Sequence, residues 1–376
     1  MTNPDALARY IMIGGFLGAG KSTAIARLAE HLSARGLRVG LITNDQGNRL
    51  VDTLNLASRG FDVEEIPGGC FCCRFDSLME AAENLSRETR PDVFIAEPVG
   101  SCTDLVASVS YPLRRIYGDQ YRVAPLSVLV DPRRARRVLG LSDERGFSEK
   151  VTYIYMKQLE EAAMIVINKR DLLDDAEYAQ LADALRARFP EAEVIGISAR
   201  EGWELEPWFD AIWDRELPLG ETMPLDYRIY AEGEALLGWL NASLKLRAAA
   251  LTAGDSLLQN LALAVQKRLN SLHIEIAHFK MTLDPLDGSG EIAVLNLVGS
   301  DYRPEFTQSL MDPLQQGELI VNLRAEGDPE QLRAVLEDAV ASCQNDVVRW
   351  ELDHLECFRP GEPKPIYRMA HAEADV

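Results

Sequence analysis

The sequence predicts an α/β protein, with a doubly wound, mostly parallel sheet and a smaller α+β domain after it. From Tyr10 to about Trp213, short apolar runs alternate with amphipathic helical stretches. This alternation is typical of a parallel sheet with helices on both faces. The segment Arg215–Tyr227 contains two prolines and a glycine and lacks periodicity, which indicates a connection between two domains.

Length and composition support two globular domains. The chain has 376 residues, more than one hydrophobic core usually supports. Hydrophobic residues make up 47% of the chain and charged residues 26%, which is the balance of a globular protein. We expect the first domain at residues 1–215, a linker at residues 216–228, and a helical segment with an α+β domain at residues 229–376.

The charge and cysteine content limit the partners and the compartment. The chain has 39 basic and 59 acidic residues and a net charge of -20, which disfavours binding to nucleic acids and anionic membranes. We find neither a signal-peptide pattern at the start nor an apolar run long enough to cross a bilayer. Three of the six cysteines fall within four residues, which is no disulfide framework. These features predict a cytoplasmic protein without a nucleic-acid or membrane partner.

The strands predicted for the first domain are continuous apolar runs rich in β-branched residues, as strands buried on both faces should be. They are Tyr10–Gly14, Val39–Thr43, Asp62–Ile66, Val93–Ala96, Ala124–Val130, Met164–Asn168 and Glu193–Ile197.

The second domain shows a different pattern. An apolar stripe at helical spacing runs from Leu257 to Leu272, and two alternating runs flank the turn-rich segment Asp284–Glu291, which predicts a hairpin. A strand at Glu318–Leu323 precedes a helix with Asp328 as its N-cap and proline at its first position. A last strand is expected at Val347–Leu352.

The clearest motif is GFLGAGKS at Gly15–Ser22, which lies between a predicted strand and a predicted helix. Glycines in such a phosphate loop let backbone N–H groups surround the phosphates, and the N-terminus of the helix adds positive potential. Lys21 would reach the β and γ phosphates and the Ser22 hydroxyl would bind Mg²⁺. The predicted phosphate-binding residues are Gly15, Gly18, Ala19, Gly20, Lys21, Ser22 and Thr23.

A second motif indicates that the base is guanine. Asn168, Lys169 and Asp171 follow a buried apolar run. A carboxylate at Asp171 can accept hydrogen bonds from the N1–H and 2-amino groups of guanine, and adenine offers no such pair of donors. Ser198 and Ala199 form a later turn that resembles the loop closing over guanine in GTPases. The predicted ligand is therefore GTP or GDP.

The third motif, GGCFCC at Gly68–Cys73, predicts a soft metal site. Thiols this crowded in a reduced compartment suit Zn²⁺ or Co²⁺. In an extended segment Cys70 and Cys72 would point to one side and Cys73 to the other, so Cys73 would join only if the chain turns. The alternative is that the three cysteines are small buried apolar residues. Two or three thiolates make an incomplete tetrahedral site, which suits delivery of an ion better than storage.

Together these motifs resemble the CobW-like metallochaperones, a branch of the P-loop GTPases that also contains the urease and hydrogenase accessory GTPases. The resemblance rests on Gly15–Ser22, Gly68–Cys73, Glu97 with Gly100, and Asn168–Asp171, in the order of the family. It implies a slow GTPase whose nucleotide state controls capture and delivery of Zn²⁺ or Co²⁺. The implied partners are a client metalloprotein or cofactor-assembly enzyme and, in one nucleotide state, a second copy of the chain.

The resemblance also suggests roles for three residues. Glu97 would be the acidic residue that supports Mg²⁺ or its water; otherwise it is an ordinary carboxylate at a strand end. Where the family usually has Asn-Glu-Phe-Gly, this chain has Asn44, Asp45, Gln46 and glycine. Asp45 could still bind a metal ion, although its side chain is one methylene shorter. Gln46 is the candidate for orienting water, and the reaction would be in-line hydrolysis of GTP.

Two other functions remain open. One is a GTPase that guards the loading of a corrinoid cofactor onto an enzyme, which predicts that the client and not free metal changes the GTPase rate. The other is a non-catalytic module in which the cysteines sense metal or oxidant, which predicts that nucleotide leaves metal affinity unchanged.

Two further groups are interpreted mainly as structural. His354 and Cys357 lie in a run that reads as a strand, where their spacing would point them to opposite sides. Four arginines follow Asp131 and are expected on a solvated helix face, with docking of an acidic client as the alternative. They are Arg133, Arg134, Arg136 and Arg137.

Overall fold

The computed structural model describes residues 7–45, 56–57 and 59–371, with Asp45 described by its backbone alone. The chain divides into two compact units. The first unit contains the described residues 7–45, 59–231 and 362–371, and the second contains 56–57 and 232–361. The final segment therefore belongs to the first unit, whereas the boundaries drawn from sequence group it with the second.

The first unit is built on a parallel sheet, as predicted. In the described part of the chain its strands follow the order β3-β2-β4-β1-β6-β7-β8, with β5 pairing beside β1, and each pair is parallel. The strands are β1 (Ala8–Gly15), β2 (Val39–Asp45), β3 (Asp62–Pro67), β4 (Val93–Glu97), β5 (Tyr121–Val123), β6 (Ser127–Val130), β7 (Met164–Ile167) and β8 (Glu193–Gly196).

The single strand expected at Ala124–Val130 is wrong in one respect. Of this range only Ser127–Val130 form a strand, β6, and Ala124, Pro125 and Leu126 separate it from β5, which ends at Val123. Proline has no N–H to donate to a neighbouring strand, so pairing stops there. Both strands still pair with β1, at different points along its length.

Helices connect the strands of the first unit. The first of them buries Ile25, Leu28, Ala29 and Leu32, which is the apolar face expected from sequence. The helices are α1 (Lys21–Ala34), α2 (Phe75–Leu85), α3 (Tyr111–Tyr117), α4 (Pro132–Val138), α5 (Glu149–Glu160), α6 (Asp175–Arg188), α7 (Leu205–Asp214) and α8 (Tyr227–Leu236), of which the last runs into the second unit.

The second unit is an antiparallel sheet with two long helices, which confirms the predicted α+β character. Its described strands follow the order β12-β11-β10-β13-β9-β14, and each pair is antiparallel. The elements are β9 (Leu237–Thr252), α9 (Gly254–Ser271), β10 (Glu275–Asp284), β11 (Ala293–Leu297), β12 (Glu305–Gln308), β13 (Leu314–Glu326), α10 (Pro329–Cys343) and β14 (Val348–Phe358).

Several local expectations for this unit hold. The β10–β11 pair is the predicted hairpin, and the Asp328 side chain accepts from the Glu330 N–H at 2.9 Å as the N-cap of α10. His354 and Cys357 both lie in β14, in agreement with the structural interpretation. Within the described ranges, the structure contains no helix that is both long and apolar enough to span a bilayer.

The longest strand, β9, was not predicted. Its 16 residues, LGWLNASLKLRAAALT, are rich in leucine and alanine, which favour helices when the sequence is considered alone. The strand pairs with β13 on one side and β14 on the other. Pairing on both edges outweighs the weak local preference, so the residues form a strand.

Candidate nucleotide and metal site

The phosphate loop connects β1 to α1. Gly18 and Gly20 have φ values of 77° and 89°, a left-handed conformation that suits residues without a Cβ atom. Lys21 lies at the start of α1 and donates from Nζ to the Gly15 carbonyl at 3.0 Å. Backbone N–H groups and a helix N-terminus at this turn form a suitable cradle for phosphate.

Glycine is required at two positions of this loop for steric reasons as well. A Cβ atom on Gly15 would lie 2.3 Å from the Leu129 carbonyl oxygen, and one on Gly20 would lie 2.4 Å from Asn168 Nδ2. Close approach of β6 and of the base-reading segment therefore explains these two glycines. Ala19 is buried in the loop and Thr23 is half-buried in the first turn of α1.

The predicted Mg²⁺ ligands lie side by side. Ser22 Oγ donates to Glu97 Oε1 at 3.1 Å, and Lys21 Nζ lies 4.0 Å from the same oxygen. Glu97 is the last residue of β4, which neighbours β1 in the sheet. A hydroxyl and a carboxylate on adjacent elements are hard oxygen donors of the kind that Mg²⁺ prefers, so these residues fit the ion.

The base-reading residues contact the phosphate loop directly. Asn168 is buried and donates from Nδ2 to the Ala19 carbonyl at 2.9 Å, while its Oδ1 accepts from the Ala199 N–H at 3.0 Å. Lys169 donates to the Gly18 carbonyl at 2.8 Å. The structure thus brings the two motifs together although Asn168 follows Ser22 by 146 positions in the sequence.

Asp171 and Ser198 form the remaining part of this pocket. Ser198 Oγ donates to Asp171 Oδ1 at 2.5 Å, and Arg27 of α1 donates to the Ala199 carbonyl at 3.0 Å. The serine hydroxyl holds the Asp171 carboxylate in one orientation, so its second oxygen can face a base. This arrangement agrees with the predicted guanine-binding role, which stays a prediction.

Sequence reasoning missed Asp131 as part of the site. Its buried carboxylate receives Lys169 Nζ at 2.8 Å and the Arg134 N–H at 3.0 Å as the N-cap of α4. Asp131 therefore holds the Lys169 ammonium group beside the phosphate loop. The Asp-Pro pair directly after a buried strand was the available signal, because this pairing is typical of a helix start.

Three of the four clustered arginines differ from the solvated face expected for them, since the side chains of Arg136 and Arg137 are 16% and 7% exposed. Arg134 is 5% exposed. It donates to the Leu17 carbonyl of the phosphate loop and lies over the rings of Phe16 and Phe147. The short helix α4 turns this side chain toward the site, where aromatic rings cover its cation.

The cysteine motif forms a turn after β3. Gly68 and Gly69 have φ values of 74° and 150°, and the Cys73 N–H donates to the Cys70 carbonyl at 3.0 Å. The turn brings Cys73 to the same side as the other two thiols, which is the condition that sequence analysis set for its participation. The sulfur of Cys70 lies 2.9 Å from that of Cys72 and 3.3 Å from that of Cys73, and the latter two are 3.7 Å apart.

The three thiols share one hydrogen-bonding network and differ in acidity. Hydrogen bonds from Cys102, Cys72 and Cys73 hold the pKa of Cys70 well below its usual value. The hydrogen bond with Cys70 raises the pKa of Cys72 well above its usual value and that of Cys73 to about 11. Cys70 is therefore the most acidic of the three thiols.

Two segments hold the cysteine turn in place. Asn44, near the end of β2, donates from Nδ2 to the carbonyls of Ile66 at 2.9 Å and Gly69 at 2.6 Å. The next residues, Asp45 and Gln46, were predicted to bind a metal ion and to orient water. The Asp45 side chain and the whole of Gln46 lie outside the described residues.

The second segment is the C-terminal tail at residues 362–371. The Lys364 N–H donates to Cys73 Sγ at 3.1 Å, and the Ile366 N–H donates to the Cys72 carbonyl at 3.0 Å. Further on, the Arg368 guanidinium pairs with Asp104 at 2.8 Å. The tail therefore crosses the cysteine turn, a contact that no local pattern in the sequence could have indicated.

Comparison with known families identifies the domain that carries this site. A family model described as the CobW/HypB/UreG nucleotide-binding domain matches residues 9–196. Similar proteins include the zinc chaperone CobW of a Sinorhizobium species, 31% identical over 210 residues that cover 51% of this chain and 58% of that protein. The zinc chaperone YeiR of Escherichia coli K12 is 31% identical over 168 residues, 44% of this chain and 47% of that protein. The chain spans about half the length of the curated relatives it matches.

Solved structures with a similar fold show lower similarity. HypB from Helicobacter pylori in complex with nickel is 17% identical, with a TM-score of 0.41 over 56% of this chain and 87% of that chain. The Zn(II)-bound YjiA GTPase from E. coli is 16% identical, with a TM-score of 0.34 over 90% of this chain and 100% of that chain.

Proposed function

Because the chain belongs to the CobW/HypB/UreG family through its nucleotide-binding domain, we propose that it is a GTP-hydrolysing metallochaperone. In this proposal the nucleotide state governs the binding of Zn²⁺ by cysteine thiolates and its delivery to a client metalloprotein or cofactor-assembly enzyme. Co²⁺ is the second candidate ion, since thiolates bind both. The names of the relatives, two of them zinc chaperones, favour Zn²⁺.

The observation that carries the proposal is the cluster of three thiols on a nucleotide-binding domain. The sulfur atoms of Cys70, Cys72 and Cys73 lie within 4.8 Å of one another, and two of these side chains are buried. A Zn–S bond is about 2.3 Å, so sulfurs around one tetrahedral ion lie about 3.8 Å apart. Three thiols at similar separations can surround a single ion.

The proposed hydrolysis uses residues that lie around the phosphate loop. Lys21 and the loop amides bind the phosphates and stabilise charge on the transferring phosphoryl group. Ser22 and Glu97 would hold Mg²⁺, which supplies charge neutralisation at the β and γ phosphates. Asp171 accepts from guanine, and Asn168 ties that segment to the loop. Water attacks in line to give GDP and phosphate, with Gln46 as the proposed positioning residue.

The contacts of the cysteine turn support coupling between metal and nucleotide. Asn44 hydrogen bonds to the turn at Gly69 and lies on β2, which pairs with β4 as far as Glu97. A change near Glu97 on binding or loss of the γ phosphate can therefore reach the cysteines through two adjacent strands. Slow hydrolysis would then time capture and release of the ion.

The proposal is tested by titrating Zn²⁺ into reduced protein with GDP and, separately, with a non-hydrolysable GTP analogue. We expect Zn²⁺ affinity to differ between the two nucleotides by about 5- to 150-fold, the usual range for coupled sites. The double variant Cys70→Ser/Cys72→Ser should lose this binding. Cys343→Ser/Cys357→Ser is the matched control, because these two cysteines lie in the second unit.

Each alternative function gives a different result. Zn²⁺ affinity that depends on the cysteines but not on the nucleotide would indicate a metal or redox sensor. Weak binding that is indifferent to both would contradict the metallochaperone and direct attention to a client enzyme that stimulates hydrolysis. Reciprocity provides a check, since Zn²⁺ must change nucleotide affinity by the same factor.

A further inference from the structure

The C-terminal tail at residues 362–371 lies on the accessible side of the cysteine cluster. Cys70 and Cys72 are 4% and 2% exposed, whereas Cys73 is half-buried. An ion bound by the three thiols would therefore enter and leave on the side of Cys73. The Lys364 N–H donates to Cys73 Sγ at 3.1 Å, so the tail crosses the cluster at this entrance.

The sequence of the tail makes this contact specific. Lys364 stands between Pro363 and Pro365, and because proline has no N–H, the Lys364 amide is the single backbone donor of the three residues. Pro363 has a fixed φ, and Pro365 restricts the residue before it to an extended conformation. A stiff segment therefore presents one N–H to one sulfur atom and loses little conformational freedom in doing so.

Two contacts close to the cluster hold the tail against the cysteine turn. The Ile366 N–H donates to the Cys72 carbonyl at 3.0 Å. The Tyr367 ring lies edge-on to the ring of Phe75, with the ring centroids 5.2 Å apart. Phe75 is the first residue of α2, which follows the cysteine turn. The tail is thus bound to the turn by its backbone and to the next helix by a side chain.

The far end of the tail joins the segment that follows β4. Arg368 pairs with Asp104 at 2.8 Å, and the Met369 N–H donates to the Ala107 carbonyl at 2.9 Å. Strand β4 ends in Glu97 at the predicted Mg²⁺ site. The tail therefore connects the cysteine turn with the chain that leaves the nucleotide site.

We propose that the tail is a latch on the metal site, in which the Lys364 N–H binds the Cys73 thiolate and slows departure of the ion. This inference rests on the proposed function, in which the cysteine turn binds Zn²⁺. Cysteine ligands of Zn²⁺ are thiolates, and a hydrogen bond to an ionised acceptor is stronger than one to a neutral thiol. The contact with Lys364 therefore strengthens when the site is loaded.

Transfer of the ion to a client requires this latch to open. Cys73 is the most accessible of the three sulfur ligands, so a ligand group of the client would exchange with it first. While the tail is in place, the Lys364 N–H occupies that sulfur and the tail backbone covers its surroundings. The tail thus controls the rate of release.

The test compares Lys364→Pro with Lys364→Ala in the full, reduced chain. Both variants lose a side chain that pairs with Glu362 at 3.2 Å, but proline alone also removes the N–H. Proline fits here because the residue before Pro365 is already restricted to the β and polyproline region. We expect about tenfold weaker Zn²⁺ binding in Lys364→Pro than in Lys364→Ala, since outer-shell partners contribute about 10- to 100-fold. Faster transfer of Zn²⁺ to a chelator should account for the difference.

A spectroscopic readout separates loss of the hydrogen bond from a general loosening of the site. Co²⁺ in place of Zn²⁺ gives a charge-transfer band from thiolate to metal. A hydrogen bond stabilises the sulfur lone pair, so the band should lie at longer wavelength in Lys364→Pro than in Lys364→Ala. Equal band positions and equal Zn²⁺ affinities in the two variants would overturn the proposal. GDP affinity shows whether each variant is folded.

A second measurement needs no variant and decides the matter if Lys364→Pro does not fold. In the wild type, Zn²⁺ should slow amide hydrogen exchange at Lys364, because its bond to a metal-bound thiolate is the stronger one. Amides of β14 in the second unit are the control and should exchange at the same rate with and without Zn²⁺. Exchange at Lys364 that does not respond to Zn²⁺ would also overturn the latch.

The outcomes distinguish this inference from the proposed function. If Zn²⁺ binding depends on Cys70 and Cys72 but does not differ between the two Lys364 variants, the latch fails and the metallochaperone proposal stands. If wild type binds Zn²⁺ weakly and without dependence on these cysteines, the proposed function fails, and the latch fails with it.

Discussion

Single residues in the site owe their properties to one or two neighbours. Asp171 is oriented by the hydroxyl of Ser198 at 2.5 Å, and Lys169 is held by the buried carboxylate of Asp131 at 2.8 Å. In each pair a side chain from a distant part of the sequence fixes a motif residue. Substitution of a single side chain can therefore test a specific role.

The guanine preference should depend on Asp171. In Asp171→Asn an amide N–H replaces a carboxylate oxygen that would accept from guanine. Hydrogen bonds to charged groups contribute about 1.5 to 3 kcal/mol each, so GDP affinity should fall at least about tenfold. Xanthosine diphosphate, whose base has an oxygen in place of the 2-amino group, should bind better to the variant than to wild type.

Binding of both nucleotides can be measured with fluorescent analogues. Asp183→Asn, on the exposed face of α6, is the control and should leave GDP affinity unchanged. If Asp171→Asn lowered the affinity for both nucleotides equally, the result would argue against base recognition and for a structural role of Asp171.

The buried carboxyl of Glu161 should make stability depend on pH. It accepts from the Thr103 hydroxyl and the Val106 N–H, each at 3.1 Å, and burial raises its pKa from 4.5 to about 8. The folded state therefore favours the neutral acid. Its stabilising effect is complete below the unfolded-state pKa near 4.5 and is lost as pH rises toward about 8.

Glu161→Gln should remove this dependence, because an amide stays neutral and can keep both contacts. Between pH 5 and 8 the free energy of unfolding of wild type should fall more steeply, by up to about 1.4 kcal/mol per pH unit. Urea unfolding at a series of pH values measures the slopes. Glu149→Gln, at the exposed start of the helix α5 that Glu161 follows, is the control. Identical slopes for wild type and Glu161→Gln would contradict the argument.

At the scale of elements, the tail owes its role to its position in the folded chain. The tail at residues 362–371 crosses the cysteine turn and continues to Asp104, whose carboxylate is 1% exposed and accepts from the Tyr227 hydroxyl at 2.6 Å. Arg368 reaches the same carboxylate with two nitrogens, at 2.8 and 3.3 Å. This ion pair fastens the tail beyond the cysteines.

Arg368→Ala should loosen the tail. Asp104 keeps its contact with Tyr227, and the arginine side chain is 32% exposed, so screening by solvent reduces the loss. We expect the free energy of unfolding of the first unit to fall by about 1 to 2 kcal/mol. Amide hydrogen exchange at Lys364 and Ile366, whose N–H groups contact the cysteine turn, should become faster.

The matched control is Arg349→Ala, an exposed arginine of β14 in the second unit. It should leave exchange at the two tail amides unchanged. Unaltered exchange in Arg368→Ala would mean that the cysteine turn holds the tail without the ion pair.

At the scale of the whole molecule, the chain consists of two units with separate cores, and the nucleotide motifs all lie in the first. A ligand that binds only the folded first unit should stabilise that unit alone. At a GDP concentration of about 100 times its dissociation constant this amounts to about 2.7 kcal/mol.

GDP and Mg²⁺ should therefore raise the unfolding temperature of the first unit by about 5 to 10 °C, as measured by scanning calorimetry. The transition of the second unit should stay in place. ADP is the control, because adenine lacks the donors that Asp171 is expected to accept. An equal shift with ADP would contradict guanine recognition, and a shift of both transitions would show that the units unfold together.

The amino-acid sequence determined the fold class of both units and contained the motifs of the candidate site. Periodicity predicted the parallel sheet, since strands buried on both faces require continuous apolar runs. The phosphate loop was recognisable because its glycines, lysine and serine act within one turn of chain. Short-range chemistry of this kind is written in adjacent residues and needs no knowledge of what lies elsewhere.

The tertiary structure decided what depends on contacts between distant residues. It made β9 a strand in spite of its leucine and alanine content, because both edges of that strand are paired. It turned the cysteine motif so that Cys73 joins the other two thiols, and it brought the tail to the same place. These contacts follow from the order of strands and the return of the chain, and such long-range pairings leave no periodic or local pattern in the sequence.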